Sequence, residues 1–127
     1  MRANRQSTLV LLAGVAIGAA TVHGLHAQSK PIALVVAEIE VTNLEGYQKE
    51  FLPLAAKALN EAGRKRVALS GKIVSIEGAP PKSRIAINSF ENLDKAIAAY
   101  NSPAFKEARK IGDKYATFRI FAFEDAK

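Results

Sequence analysis

The 127-residue chain contains no cysteine and no tryptophan, and only two histidines. Both histidines, His23 and His26, fall in an N-terminal stretch that reads as a leader rather than as part of a folded domain. A chain processed after Ala27 therefore has no His, Cys or Trp at all. Without thiols there is no disulfide to staple the fold, and a domain of this size must hold by its core alone. Without histidine there is no Ser-His-Asp or Cys-His nucleophile pair. The usual nitrogen and thiolate ligands of zinc, copper and haem iron are missing too, so no metal and no cofactor is expected. Carboxylates, Lys, Arg, Tyr, Ser, Thr and backbone groups remain for any site.

The leader reading rests on three features. Arg2 and Arg5 precede an uncharged run, residues 9–20, and a short segment follows that ends at Ala27. A basic start, an apolar middle and a small residue at the end form the secretory pattern. Leu25 stands three residues before the cut and is bulkier than the small residue usual there. The alternative is an uncleaved anchor, because the chain from Leu9 to Leu25 carries no charge; Gly14, Gly18, Gly24 and His23 make it a poor span. The expected organisation is a signal segment over residues 1–27 and one domain over residues 28–127, periplasmic or secreted. A membrane is a partner only if the segment stays on. Removing Arg2 and Arg5 with the leader lowers the formal charge from +6 to +4. That mild excess is a solvated surface or an attraction for small anions, and nucleic acid is not an expected partner.

Periodicity gives the elements. Residues 32–41, IALVVAEIEV, read as a strand from their β-branched content and closing alternation. Asn43 can cap a helix whose apolar positions run from Leu44 through Tyr47, Phe51, Ala55 and Ala58 to Ala62. Pro53 lacks an N–H for the carbonyl of Lys49, which predicts a kink near Phe51–Leu52. Gly63 suits a left-handed helix end. Two short strands are expected at residues 66–70 and 72–77, then a Gly-Ala-Pro-Pro turn at 78–81 and a strand at 84–88. Asn92 caps a helix ending near Tyr100. Asn101-Ser102-Pro103 then reads as a corner, with Ser102 the cap of a third helix and Pro103 its first residue. Residues 117–123, TFRIFAF, form the last strand.

This order predicts an α+β, ferredoxin-like split βαβ sandwich: an antiparallel sheet with its helices on one face. On the first strand Leu34 and Val36 alternate in step with Glu38 and Glu40, and on the last Phe121 and Phe123 with Arg119. Large apolar groups thus lie on both sheet faces, while one chain's helices cover only one. A homodimer closing face to face is the simplest way to cover the other.

The residues Val41-Thr42-Asn43-Leu44-Glu45-Gly46-Tyr47, the Gly63 turn, Ile76-Glu77-Gly78, the Pro80-Pro81 turn, Phe90 and Tyr100-Asn101-Ser102-Pro103-Ala104-Phe105 follow one another in an order and spacing that resembles the bacterial domain-of-unknown-function family 1330. The likeness covers nearly the whole domain, and the leader makes it similar to a secreted branch. The resemblance implies a dimeric α/β-barrel and no settled activity. The chain departs from the family pattern at Gly63-Arg64-Lys65, Leu69-Ser70-Gly71 and Ser89.

The best candidate constellation is Glu38, Glu40, Arg84, Asn88 and Arg119. With strand one lying between the strands of Arg84 and Arg119, the two carboxylates are expected to share a face with both arginines. Buried there, the carboxylates would have raised pKa values suited to proton transfer, and the arginines would clamp an anion. An interface ion-pair network, or charges at the sheet rim, is the plainer account of the same residues. Tyr47, Tyr100 and Tyr115 lie on apolar helix faces, and Tyr100 is the one taken as a ligand-binding candidate. Arg64, Lys65 and Arg66 read as a solvated basic turn. Three functions remain open: a homodimer binding a small anionic or aromatic molecule between sheet and helices, a cofactor-independent isomerase or monooxygenase-like enzyme using Glu38 or Glu40 as base, and a structural or stress-related envelope protein without a ligand.

Overall fold

A computed structural model describes residues 30–126, so the leader read at residues 1–27 lies outside the described part. Strand β1 (Ala33–Val41) runs through the middle of the sheet. A helical stretch follows as α1 (Leu44–Gly46), a π-helical turn (Tyr47–Phe51) and α2 (Leu52–Glu61). Then come β2 (Lys65–Leu69), β3 (Arg84–Phe90), α3 (Leu93–Tyr100), α4 (Pro103–Gly112) and β4 (Ala116–Glu124). The sheet order is β2-β3-β1-β4 and every neighbouring pair is antiparallel. This is the ferredoxin-like α+β arrangement that the element order predicts.

Period-two alternation sorts the sheet's side chains. Ala33, Val35, Ala37 and Ile39 point to the helices and are buried with Ala86, Phe90 and Ala116. The register places Leu34, Val36 and Glu38 on the opposite face, opposite Ser89, Ile87 and Ile85 on one side and Phe123, Phe121 and Arg119 on the other. Phe121 and Phe123 remain 42% and 44% exposed, so the second face is apolar and uncovered in a single chain.

The caps stand where the sequence places them. Asn43 accepts from the Gly46 N–H, Asn92 from Lys95 and Ser102 from Phe105. Gly63 has φ 95°, a left-handed turn that few other residues tolerate. The Pro53 defect takes a particular form. With Pro53 unable to donate to Lys49, the preceding turn widens, and the N–H of Leu52 reaches the carbonyl of Tyr47, five residues back. Tyr47 and Phe51, four residues apart, both face the sheet, where they are 1% and 4% exposed. Gly46 sits against the ring of Tyr115, whose hydroxyl donates to Glu50 on the π turn.

One expected element does not form. Residues 72–77 alternate like a strand but lie in the loop between β2 and β3. Both edges of β3 are held, by β2 and β1, and residues 72–77 do not pair with the open edge of β2 or of β4 either. Val74 and Ile76 are left 69% and 96% exposed there. The end of the loop is fixed to the sheet: the N–H of Lys82 donates to Glu38 at 3.1 Å, and Ser83 donates to Glu40.

Candidate functional site

Between the sheet and the π–α2 helix lies a cavity of about 280 Å³. Its walls are apolar, with Ile39, Phe51, Leu59, Phe105 and Phe118 prominent. Its polar groups are Tyr47, Arg64, Arg66, Arg84, Asn88 and Tyr100. Each comes from a different local device. Tyr47 faces inward from the first position of the π turn. The left-handed Gly63 redirects the chain so that Arg64 returns along α2, where Nε and Nη2 both donate to Asn60. A β-bulge in β2 skips Val67, so that Arg66 and Leu69, three residues apart, both reach the cavity. Without the bulge, strand alternation would turn one of them away.

Asn88 is the centre of the polar row and is 2% exposed. Its side-chain oxygen accepts from Arg66 Nε at 3.0 Å, and its Nδ2 donates to the Tyr100 hydroxyl at 3.1 Å. The Arg84 guanidinium lies 5.5 Å from the centroid of the Tyr47 ring. Burial pushes the phenols of Tyr47 and Tyr100 up; the charges of Arg84 and Arg66 oppose this at Tyr47, and the Asn88 bond with Arg64 and Arg66 opposes it at Tyr100. Both phenols therefore keep their protons at neutral pH. Arg64 is pushed below its usual value, first by burial and then by the charge of Arg66.

The expected constellation is divided between two faces. Arg84, Asn88 and Tyr100 line the cavity on the helix side. Glu38, Glu40 and Arg119 stand on the open side, because the register sets Glu38 opposite Ile85 and Val35 opposite Asn88. The arginine of β3 and the carboxylates of β1 thus do not share a face, and the phase that puts Ile85 and Ile87 on the open side is the reason. The direction expected for Glu38 is also reversed. The Lys82 N–H holds its carboxyl below the ordinary range; burial opposes this, and the contact with Arg119 adds to the lowering. Glu40 accepts from Ser83 and is exposed.

Arg64, Arg66 and Tyr47 are cavity residues that sequence reading assigned to a solvated turn and a core. A signal for the pair was present: residues 64 and 66 stand two apart in an extended stretch, which gives them one side of the chain. The bulge that brings Leu69 beside them has no sequence mark. Among the described residues there is no group of His, Cys, Asp or Glu that could hold a metal, and no helix long and apolar enough to cross a membrane.

Comparison with known proteins supports the fold. The chain is similar to RPA0582, a protein of unknown function from Rhodopseudomonas palustris, with 12% identity over 84% of this chain and 92% of that one and a TM-score of 0.63. It is also similar to SnoaB, a cofactor-independent oxygenase from Streptomyces nogalater, with 14% identity over 77% of this chain and 96% of that one and a TM-score of 0.56. No curated protein matches the sequence. The profile of the Domain of unknown function (DUF1330) matches residues 32–126, nearly the whole of the described part, and the chain belongs to that family.

Proposed function

We propose that this domain is an exported homodimer that binds a small, mostly apolar molecule in the cavity between sheet and helices. The observation that carries the reading is the cavity itself: apolar walls, a few converging polar groups and a size just below the range usual for drug-like ligands, roughly 300–1,000 Å³. A core of this kind fills such a space unless something else occupies it, since interiors pack without sizeable voids. Pairing through the open face supports the same arrangement, because it buries Phe121 and Phe123 and leaves the cavity on the outer, helix side of each copy.

Catalysis by Glu38 or Glu40 fits the geometry less well. Neither lines the cavity, and Glu38 is already engaged by Lys82 and Arg119, which makes it a weaker base. The likeness to an oxygenase extends to the fold alone.

The test uses N-phenyl-1-naphthylamine, a neutral dye that fluoresces in apolar surroundings. The parent protein is expected to bind it saturably. Ala56→Trp, which places a large ring in the cavity from a half-buried position on α2, is expected to abolish the signal while the protein stays folded by circular dichroism. A parent that takes up no dye, or a folded filled variant that binds it as well as the parent, overturns the reading.

A further inference from the structure

The polar row of the cavity is one-sided in its hydrogen-bonding capacity. Its acceptors are engaged from within. Asn88 Oδ1 receives Arg66 Nε, the Tyr100 hydroxyl oxygen receives Asn88 Nδ2, and Asn60 Oδ1 receives two N–H groups of Arg64. Donors are left over: both Nη groups of Arg66, the N–H groups of Arg84 beyond its bond to the Tyr47 hydroxyl, and the O–H proton of Tyr100. No Asp or Glu lines the cavity, and among the described residues none of Arg64, Arg66 and Arg84 is in an ion pair. Residues 1–29 contain no acidic side chain that could supply one. By contrast, Arg109 and Arg119 each have a carboxylate partner.

Guanidinium groups gathered at one apolar mouth repel one another, and an anion relieves that repulsion. Asn88 holds Arg66 by its Nε, so the fork is fixed and presents its two Nη groups. Two parallel N–H groups match the two oxygens of a planar carboxylate. The walls specify the rest of the ligand. Tyr47, Phe51 and Phe118 form a run of rings with centroids 5.3 and 5.2 Å apart, and Tyr100 meets Phe105 edge-on at 4.8 Å. Such rings favour a flat aromatic guest.

We infer that the cavity selects an aromatic carboxylate of about bicyclic size, whose acid group is received by Arg66 and Tyr100 while its rings lie among Tyr47, Phe51, Phe105 and Phe118. Asn88 is a positioning residue: it touches Arg66 and Tyr100 rather than the guest. The inference rests on the cavity being a binding site and adds the sign and shape of what enters. An amine of the same size meets like charge and acceptors that are already engaged, and a neutral alcohol gains one hydrogen bond instead of a charged pair.

Calorimetric titration with 1-naphthylacetate, 2-(1-naphthyl)ethanol and 2-(1-naphthyl)ethylamine tests it, since the three differ only in the polar end. The acid is expected to bind at least tenfold more tightly than the alcohol, and the amine not at all. Arg66→Gln, at an exposed position on an edge strand, is expected to erase the advantage of the acid while leaving the alcohol's affinity as it was. Asn88→Ala is expected to weaken the acid by less than Arg66→Gln. Equal binding of acid and alcohol, or an advantage that survives Arg66→Gln, overturns the inference. If N-phenyl-1-naphthylamine enters while acid and alcohol do not differ, only the carboxylate assignment falls. If no probe enters, both readings fall together.

Discussion

Gly112, the last residue of α4, has no room for a methyl group. A Cβ built there lies 2.5 Å from Phe51 Cδ1, 2.7 Å from Cε1 and 3.1 Å from Phe118 Cζ. Favourable carbon–carbon contact begins near ~3.5 Å, so Gly112→Ala requires a shift of about 1 Å. Phe51 cannot easily give way: it is 4% exposed and its ring sits between Tyr47 and Phe118. Phe118 is itself covered by the Arg109 guanidinium at 4.0 Å from its centroid. Overpacking of this kind costs about 1–3 kcal/mol. Alanine returns part of that as helix propensity, at most about 1 kcal/mol at a helix end. The expected net loss is about 1–2 kcal/mol, and for a domain of this size each 1 kcal/mol lowers Tm by roughly 4–8 °C. Thermal unfolding followed by circular dichroism at fixed protein concentration reads the change. Gly71→Ala is the control, because nothing lies within 4 Å of its Cβ position. A Gly112→Ala protein that melts with the control and the parent refutes the packing argument.

Two further outcomes follow from the open face. The carboxyl of Glu38 has a folded pKa below its ordinary 4.5, so its stabilising contribution is complete above that value and disappears as pH falls through the folded value. Urea midpoints measured down the acid limb are expected to fall more steeply for the parent than for Glu38→Gln, and parallel curves contradict the assignment. Phe121 is 42% exposed in one chain, so Phe121→Asp leaves the single domain folded but places a charge in the proposed interface. Sedimentation is expected to show the parent as two copies and the variant as one at micromolar concentration. A parent that sediments as one copy ends the pairing proposal.

Local signals carried most of the architecture. Asn43, Asn92 and Ser102 each cap the helix that follows, and Gly63 turns left-handed, because these positions are decided by contacts within a few residues. Strand one lies between the strands of Arg84 and Arg119, as the element order requires. Three things were not legible. Residues 72–77 carry the β-branched residues of a strand, but that local signal does not report whether they find a neighbour to pair with. Pro53 announces a defect but not its shape, a π turn over Tyr47–Phe51. The phase of β3 depends on which of its two apolar sets meets the helices. Arg84-Ile85-Ala86-Ile87-Asn88 offers bulk in one phase and polar ends in the other, and the structure turns the polar ends to the helix side, with Asn88 buried and Arg84 half-buried. That choice separated Arg84 and Asn88 from Glu38, and with it moved the candidate site to the other side of the sheet.

The placement of β1 has a consequence for the order of events in biosynthesis. The earliest strand to be made is the central one, and both of its ladder partners are encoded later, the outer of them at the very end of the domain. The carbonyl of Ile32 waits for the N–H of Asp125, at 2.9 Å in the finished molecule. A chain that stops short of β4 can pair β1 with β3 and β3 with β2, but leaves the other edge of β1 bare. The closing of that edge of β1 thus depends on a pairing between strands roughly eighty residues apart, a long-range contact of the kind that slows folding.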